Sequence, residues 1–113
     1  MIKGIGTDVI SIQRISVEQH FIERILTPKE IELFQAIQSQ ERQQEFLAGR
    51  FAAKEAIMKA LGTGIGPSSF HDFTILPNEM GQPQCQIQGY ITHLSISHDA
   101  GVAVAVVVIE HEL

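Results

Sequence analysis

Asp8 is the first residue whose type and position could do chemistry. It lies in a stretch with strand periodicity and shares its face with Ile10 and Ile12. An unpaired carboxylate on an apolar strand face costs free energy, so Asp8 needs a partner. Two interpretations fit the spacing: an ion pair with an arginine such as Arg14, or a metal ligand held on a rigid strand.

Glu55 is the second candidate carboxylate. Small residues flank it in a long predicted helix, and Lys59 follows at the i, i+4 spacing that suits a Glu–Lys pair. The pattern is typical of a surface ion pair. It equally allows a second metal carboxylate with a lysine positioned over a phosphate.

Three further cations, Arg42, Arg50 and Lys54, recur on the same predicted helix at multiples of four. Such a row is ordinarily a solvated face. It could instead clamp a multiply charged phosphate ligand, because the guanidinium of arginine presents a bidentate fork.

A glycine-rich segment that includes Gly62, Thr63 and Gly64 follows the long helix. Nucleotide-binding loops lead from a strand into a helix N-terminus, so this order excludes Rossmann and P-loop assignments. The segment is predicted to cap the helix and turn, and its backbone amides could still contact a pyrophosphate.

His98 shares its strand parity with Leu94 and Ile96 near the end of a predicted strand. Neighbouring strand residues point to opposite faces, so Ser97 and His98 should not form a hydrolase pair. The position suits a structural histidine or one that contacts a ligand.

The order of predicted elements indicates an α+β protein, with helices packed on an antiparallel sheet. Thr27 and Glu30 form a capping box around Pro28, which marks the start of one helix. We expect one domain over residues 1–113. The predicted helices are 17–26, 28–38 and 41–61, and the predicted strands are 2–12, 70–76, 84–89, 92–98 and 102–110.

Composition narrows the setting and the partners. All eight Lys and Arg residues lie at or before Lys59, and the net charge is −5. No concentrated basic face is therefore expected, which disfavours nucleic-acid binding. The apolar run 102–109 is too short to span a membrane, and the N-terminus lacks a signal-peptide pattern. With a single cysteine, Cys85, a cytoplasmic location is expected.

Several segments together resemble the holo-acyl-carrier-protein synthase family of 4′-phosphopantetheinyl transferases. The similarity lies in residues 4–10 (GIGTDVI) with Arg14 and Ile15, and in residues 46–56 (FLAGRFAAKEA) with Lys59 and Ala60. It continues through residues 62–66 (GTGIG) and 95–98 (SISH). Order, spacing and length match over essentially the whole chain. One departure is Gln82, where many members carry a basic residue.

The resemblance implies transfer of phosphopantetheine from coenzyme A to a serine of apo-acyl carrier protein, with release of adenosine 3′,5′-bisphosphate. It places Mg²⁺ on Asp8 and Glu55, and Lys59 at the pyrophosphate. Either Glu55 or a metal-bound water would accept the serine proton. It implies that coenzyme A is bound by Arg42, Arg50, Lys59, Gly62, Thr63, Gly64 and His98.

For the protein partners, the resemblance implies that Arg14 and Arg24 face the acidic carrier protein. It also implies a homotrimer with active sites at subunit junctions. The sequence supports an oligomer independently, because residues 102–109 are apolar on both faces of one strand, as in a strand covered on both sides.

Two other functions remain compatible with the same residues. A phosphoanhydride hydrolase would use the same ligands with water as its nucleophile. A non-catalytic trimer would bind coenzyme A without transfer. Carboxylates at both metal positions argue against the second.

Overall fold

The computed structural model describes residues 1–62 and 70–113. Elements in this part follow an α+β order, which confirms the predicted fold class. Short 3₁₀ helices cover Ile12–Arg14 and Phe70–Asp72. The helices are α1 Gln19–Ile25, α2 Pro28–Ala36 and α3 Gln40–Leu61, and the strands are β1 Ile2–Ser11, β2 Ile75–Pro77, β3 Pro83–Cys85, β4 Tyr90–Asp99 and β5 Val102–His111.

The main sheet is antiparallel, with β5 in the centre between β1 and β4. Its register pairs Asp8 with Ala105, and Ala105 with Ile96. Directly paired residues share a face, so Asp8 and Ile96 lie on the same side as the buried Ala105. Strands β2 and β3 form a second, two-stranded antiparallel sheet.

Helix α3 covers this inner face of the main sheet. Its Ala52, Ala53 and Ala56 are fully buried in one cluster with Val107 and Ile109. The N-terminal half of α3 packs on α1 and α2 through a second cluster. Small residues on α3 let the helix backbone approach the sheet closely.

The closest approach is at two glycines of β1. A Cβ on Gly4 would lie 2.0 Å from the carbonyl oxygen of Ala60, and one on Gly6 would lie 1.8 Å from that of Ala56. Neither position has room for a side chain, because the obstructing atoms belong to helix backbone. β1 therefore lies directly against α3, and this contact sets how near Asp8 comes to the helix.

The predicted helix ends agree well with the structure. The backbone N–H of Thr27 donates to Glu30 Oε1 at 2.9 Å, which is one half of the predicted capping box. Gly62 ends α3 in the left-handed conformation, with φ of 77°.

The prediction was less accurate between α3 and β4. Residues 70–72 form a 3₁₀ helix rather than the start of a strand, since that turn directs both Phe70 and Phe73 inwards. The strand predicted over 84–89 ends at Cys85, because Tyr90 N–H bonds Ile87 and the chain turns there.

The hairpin of β4 and β5 is confirmed and is longer than predicted. Ala100 and Gly101 form its two-residue turn, and both have positive φ, 51° and 80°. This combination is the one that follows the twist of the flanking strands.

The outer face of the main sheet is apolar and uncovered within one chain. Ile5 and Val9 on β1 are 64% and 62% exposed, and Val106 on β5 is 42% exposed. Along the described ranges 1–62 and 70–113, no helix is both long and apolar enough to cross a membrane.

Candidate functional site

The first group of candidate residues meets where β1 lies against α3. Lys59 donates from Nζ to Asp8 Oδ1 at 3.2 Å and to the carbonyl oxygen of Thr7 at 3.0 Å. Glu55 is one helical turn before Lys59 on α3. The glycine contacts of β1 bring these elements together, so two carboxylates and a lysine share one small region.

The electrostatics of this region show that its carboxylates are close. Burial raises the pKa of Glu55, and the charge of Asp8 raises it further, while the charge of Lys59 lowers it. A carboxylate whose ionised form is disfavoured by a neighbouring carboxylate marks a place where a cation is stabilised. The donors are hard oxygens, which Mg²⁺ prefers.

The simpler interpretations of both carboxylates were wrong. Asp8 pairs with Lys59 rather than with Arg14, which is exposed at the end of the first 3₁₀ helix. The hydrogen bonds of the Lys59 ammonium go to β1, so it does not simply pair with Glu55 along the helix surface.

The second group lines a cavity of about 350 Å³ between α3, β4 and the β2–β3 sheet. Arg42 and Arg50 contribute from α3 and His98 from the end of β4, together with Phe46 and Pro83. The sequence thus predicted three residues that share one site, although they come from distant parts of the chain.

Arg50 is the most constrained residue of this cavity. Its Nη2 donates to the carbonyl oxygen of Ile75 at 3.1 Å, and its guanidinium lies 4.1 Å from the centre of the Phe46 ring. Within the described ranges, the buried Nε has no hydrogen-bond partner. Burial lowers the pKa of Arg50, and the Glu30 carboxylate partly offsets this. A cationic side chain held in this way at the cavity wall suits an anionic ligand.

His98 contacts an acid that the sequence analysis missed. Its Nδ1 lies 3.8 Å from Glu45 Oε2, and both residues line this cavity. They also line a neighbouring cavity of about 350 Å³ near the β4–β5 turn. The pair therefore forms a wall shared by two cavities.

Lys54 is not part of a solvated row, which corrects that interpretation. Its side chain is fully buried and pairs with the equally buried Glu30 at 2.6 Å. Lys54 follows Arg50 by four positions, as the sequence shows, but its side of α3 faces α1 and α2 rather than solvent.

The two groups do not converge within one chain. Arg50 and Glu55 are five positions apart on α3, so their side chains diverge by about 140° around the helix axis. The cavity of Arg42, Arg50 and His98 is not lined by Asp8, Glu55 or Lys59. The chain carries two half-sites.

The remaining predicted residues lie outside both groups or outside the described ranges. Arg24 is exposed in the last turn of α1, as Arg14 is in the 3₁₀ helix. Gly62 caps α3 next to Lys59. Thr63 and Gly64 lie outside the described residues.

Two residues of the cationic cavity could have been predicted from the sequence but were missed. Phe46 precedes Arg50 by four positions, which is the helical spacing that places a ring beneath a guanidinium. Glu45 follows Arg42 by three positions and so shares its side of α3. The contact of Glu45 with His98 had no such local signal.

A carboxylate pair beside a lysine, and a separate cavity lined by two arginines, are groups of the kind that bind cations and anionic ligands. The comparisons with known proteins give the family. The model of the 4′-phosphopantetheinyl transferase superfamily matches residues 4–107, and the chain belongs to this superfamily.

Similar proteins cover the whole chain. A holo-[acyl-carrier-protein] synthase of Oceanobacillus iheyensis is 49% identical over 97% of this chain and 98% of its own. One from Staphylococcus aureus is 46% identical over 97% of both. The crystal structure of a Bacillus anthracis holo-(acyl-carrier-protein) synthase in complex with CoA (3′,5′-ADP) has a TM-score of 0.92 and 46% identity, covering 99% of each chain.

Proposed function

We propose that residues 1–113 act as one domain that transfers 4′-phosphopantetheine from coenzyme A to a serine of apo-acyl carrier protein and releases adenosine 3′,5′-bisphosphate. The observation that carries this is the cavity that Arg42, Arg50 and His98 line together, since two guanidinium groups there provide charged donors for an anion. Coenzyme A carries a 3′-phosphate that such a donor would bind. The activity named for the relatives supports the same function.

Within this proposal, Arg50 and Arg42 bind the 3′-phosphate, and His98 lies near the remaining phosphates. Lys59 binds the pyrophosphate, and the backbone of Gly62, Thr63 and Gly64 borders it. Gly62 supports this placement, since it ends α3 only three residues after Lys59.

Mg²⁺ is the cation that we propose for Asp8 and Glu55. Two carboxylates suffice, because Mg²⁺ usually keeps several waters and takes its other ligands from substrate phosphates. No larger cluster of His, Cys, Asp or Glu suited to a metal occurs in residues 1–62 and 70–113. When bound, the ion would neutralise charge on the pyrophosphate. Because the pKa of Glu55 is raised, a proton competes with the metal ion for this carboxylate up to a higher pH than at an ordinary glutamate.

The reaction joins the serine oxygen of the carrier protein to the β-phosphorus of coenzyme A, and the serine proton passes to Glu55 or to a water molecule. The bond from that phosphorus to the bridging pyrophosphate oxygen breaks, and this oxygen leaves with the nucleotide. Lys59 would offset the charge that builds on the leaving oxygen. Its side chain is more than half exposed, so it can move from Asp8 to a ligand.

A homotrimer with sites between subunits is part of the proposal. The two half-sites of one chain point apart, and the outer face of the sheet is apolar. A second copy packed on that face would cover Ile5, Val9 and Val106, which are exposed in one chain. A closed ring would place a carboxylate half-site of one subunit opposite a cationic cavity of the next.

Arg14 and Arg24 are proposed to bind the acidic carrier protein, since both are exposed cations. A cytoplasmic location fits the free, buried Cys85.

The test is mass spectrometry of an apo-acyl carrier protein incubated with this protein, coenzyme A and Mg²⁺. A gain of the phosphopantetheine mass on the carrier is expected. Asp8→Asn and Glu55→Gln should each lower the rate by more than about 100-fold while the fold persists, because they remove charge from the metal site. Release of phosphopantetheine without transfer would favour the hydrolase, and binding without turnover would favour the inert trimer.

A further inference from the structure

The buried pair of Glu30 and Lys54 lies behind the cationic cavity. Lys54 donates from Nζ to Glu30 Oε1 at 2.6 Å and to the carbonyl oxygen of Ile25 at 2.7 Å. Both side chains are fully buried. Glu30 Oε1 also accepts from the backbone and the hydroxyl of Thr27. The bonds from Lys54 therefore tie α3 to the junction of α1 and α2.

The second oxygen of Glu30 reaches the β2–β3 sheet. Glu30 Oε2 accepts from the backbone N–H of Ile75 at 2.8 Å. The carbonyl oxygen of the same residue accepts from Arg50 at 3.1 Å. A side chain of α2 and a side chain of α3 thus bind the two polar backbone groups of Ile75, the first residue of β2.

Ile75 therefore links Glu30 to Arg50. Its position along β2 is fixed at the N–H by Glu30, and its carbonyl oxygen then fixes one end of the Arg50 guanidinium. The Phe46 ring restricts the same guanidinium from another side, with 4.1 Å between Arg50 Cζ and the ring centre. Arg50 also lines the cavity, so the direction of its guanidinium decides what it presents to a ligand there. A shift of Ile75 would turn the guanidinium away from its present direction.

Stability alone does not explain a buried ion pair of this kind. Replacing such a pair by apolar residues of similar volume is often neutral or stabilising, because desolvation of two charges offsets their attraction. The short distances and complete hydrogen bonding of Glu30 point instead to a requirement for fixed geometry.

We propose that Glu30 and Lys54 are positioning residues that aim Arg50, through Ile75, at the 3′-phosphate of coenzyme A. The inference rests on the proposed function. Neither residue touches the ligand. Lys54 holds the Glu30 carboxylate in place, and Glu30 holds Ile75.

The test compares two double variants that both remove the buried charges. Glu30→Leu with Lys54→Met leaves Ile75 N–H without an acceptor. Glu30→Gln with Lys54→Met keeps one amide oxygen that can accept from Ile75 N–H, while the amide NH₂ takes the place of the oxygen that accepts from Thr27. The readout is kcat/KM for coenzyme A divided by that for 3′-dephospho-coenzyme A, with the free energy of unfolding measured alongside.

We expect the Leu/Met variant to stay folded and to lose about tenfold of the preference for coenzyme A, and the Gln/Met variant to keep most of it. A tenfold change equals about 1.4 kcal/mol, within the range of a charge-assisted hydrogen bond. A folded Leu/Met variant with the wild-type preference would overturn the inference. A merely structural role would change stability and leave this ratio unmoved.

Glu30→Asp covers the case in which the Leu/Met variant does not fold. It keeps the charge for Lys54 but shortens the reach to Ile75 by one methylene, so the preference should fall similarly. An unchanged preference in Glu30→Asp would overturn the inference as well.

Arg50→Ala separates this inference from the proposed function. If Arg50→Ala lowers kcat/KM equally for both ligands, the assignment of Arg50 to the 3′-phosphate fails. If it removes the preference while the Glu30 variants keep it, only the positioning role fails.

Discussion

The ammonium of Lys59 lies 3.2 Å from a carboxylate oxygen of Asp8, 51 positions earlier in the chain. Lys59 is thus the counter-ion of a residue that we propose as a metal ligand. The same charge is required at the pyrophosphate in the proposed reaction. Lys59 must therefore leave Asp8 when metal and coenzyme A bind.

This pair predicts that Lys59→Met binds Mg²⁺ more tightly than the wild type when coenzyme A is absent. The ammonium no longer competes for Asp8, and an exposed pair of this kind is worth up to about 1 kcal/mol, which corresponds to about fivefold. Calorimetric titration with Mg²⁺ measures the change. Lys59→Arg, which keeps the charge, is the control and should bind Mg²⁺ like the wild type. Equal affinity in Lys59→Met would show that the pair does not oppose the metal.

The proposed carrier-binding face predicts that Arg14→Glu raises the apparent KM for acyl carrier protein and leaves that for coenzyme A unchanged. The protein has a net charge of −5, so a local basic surface must attract an acidic partner. The salt dependence of kcat/KM should become shallower in the variant. Lys29→Glu makes the same charge change at another exposed position and should behave like the wild type. The same salt response in Arg14→Glu would remove Arg14 from the interface.

Cys85 predicts a loss of stability at alkaline pH. Burial raises the pKa of its thiol from 9.0 to about 11. The folded state therefore retains a proton that the unfolded chain releases, so this contribution to stability is present below pH 9 and is lost as the pH rises towards 11. Urea unfolding at pH 8 to 11 should show a steeper decline for the wild type than for Cys85→Ala. Parallel declines would mean that other groups account for it.

The apolar outer face of the sheet predicts a trimer. Sedimentation equilibrium at micromolar concentration should give three times the chain mass of 12.5 kDa. Val106→Asp places a charge in the centre of that face and should yield folded monomers without transferase activity, since the half-sites would no longer meet. A single wild-type species near 12.5 kDa would refute the oligomer, and a stable dimer would refute the trimer alone.

Periodicity and capping signals predicted most of the fold. Strand β1, the three helices and the hairpin follow local rules, such as the capping box of Glu30 and the turn at Gly101. The region after α3 was mispredicted because its conformation depends on tertiary contacts. Phe70, for example, stacks on Phe51 at 5.4 Å between ring centres.

The site was predicted in part, for the same reason. Sequence motifs identified Asp8, Glu55 and Lys59, which the structure brings together. They could not show that Lys54 is buried, since its partner Glu30 lies 24 positions away. A spacing of four residues shows that two side chains share one side of a helix. It does not show whether solvent or another element faces that side.

Gly4 and Gly6 lie against the backbone of α3, so the absence of side chains at these two positions determines the distance between β1 and the helix. With 1.8 Å between a Gly6 Cβ and the Ala56 oxygen, one added methyl group would have to drive the two elements apart by more than an ångström. Asp8 lies on the strand and Glu55 on the helix, so the distance between the two carboxylates would increase by a comparable amount. For the cation proposed at Asp8 and Glu55, the size that fits would therefore depend on the missing side chain of Gly6, two positions before Asp8 on β1.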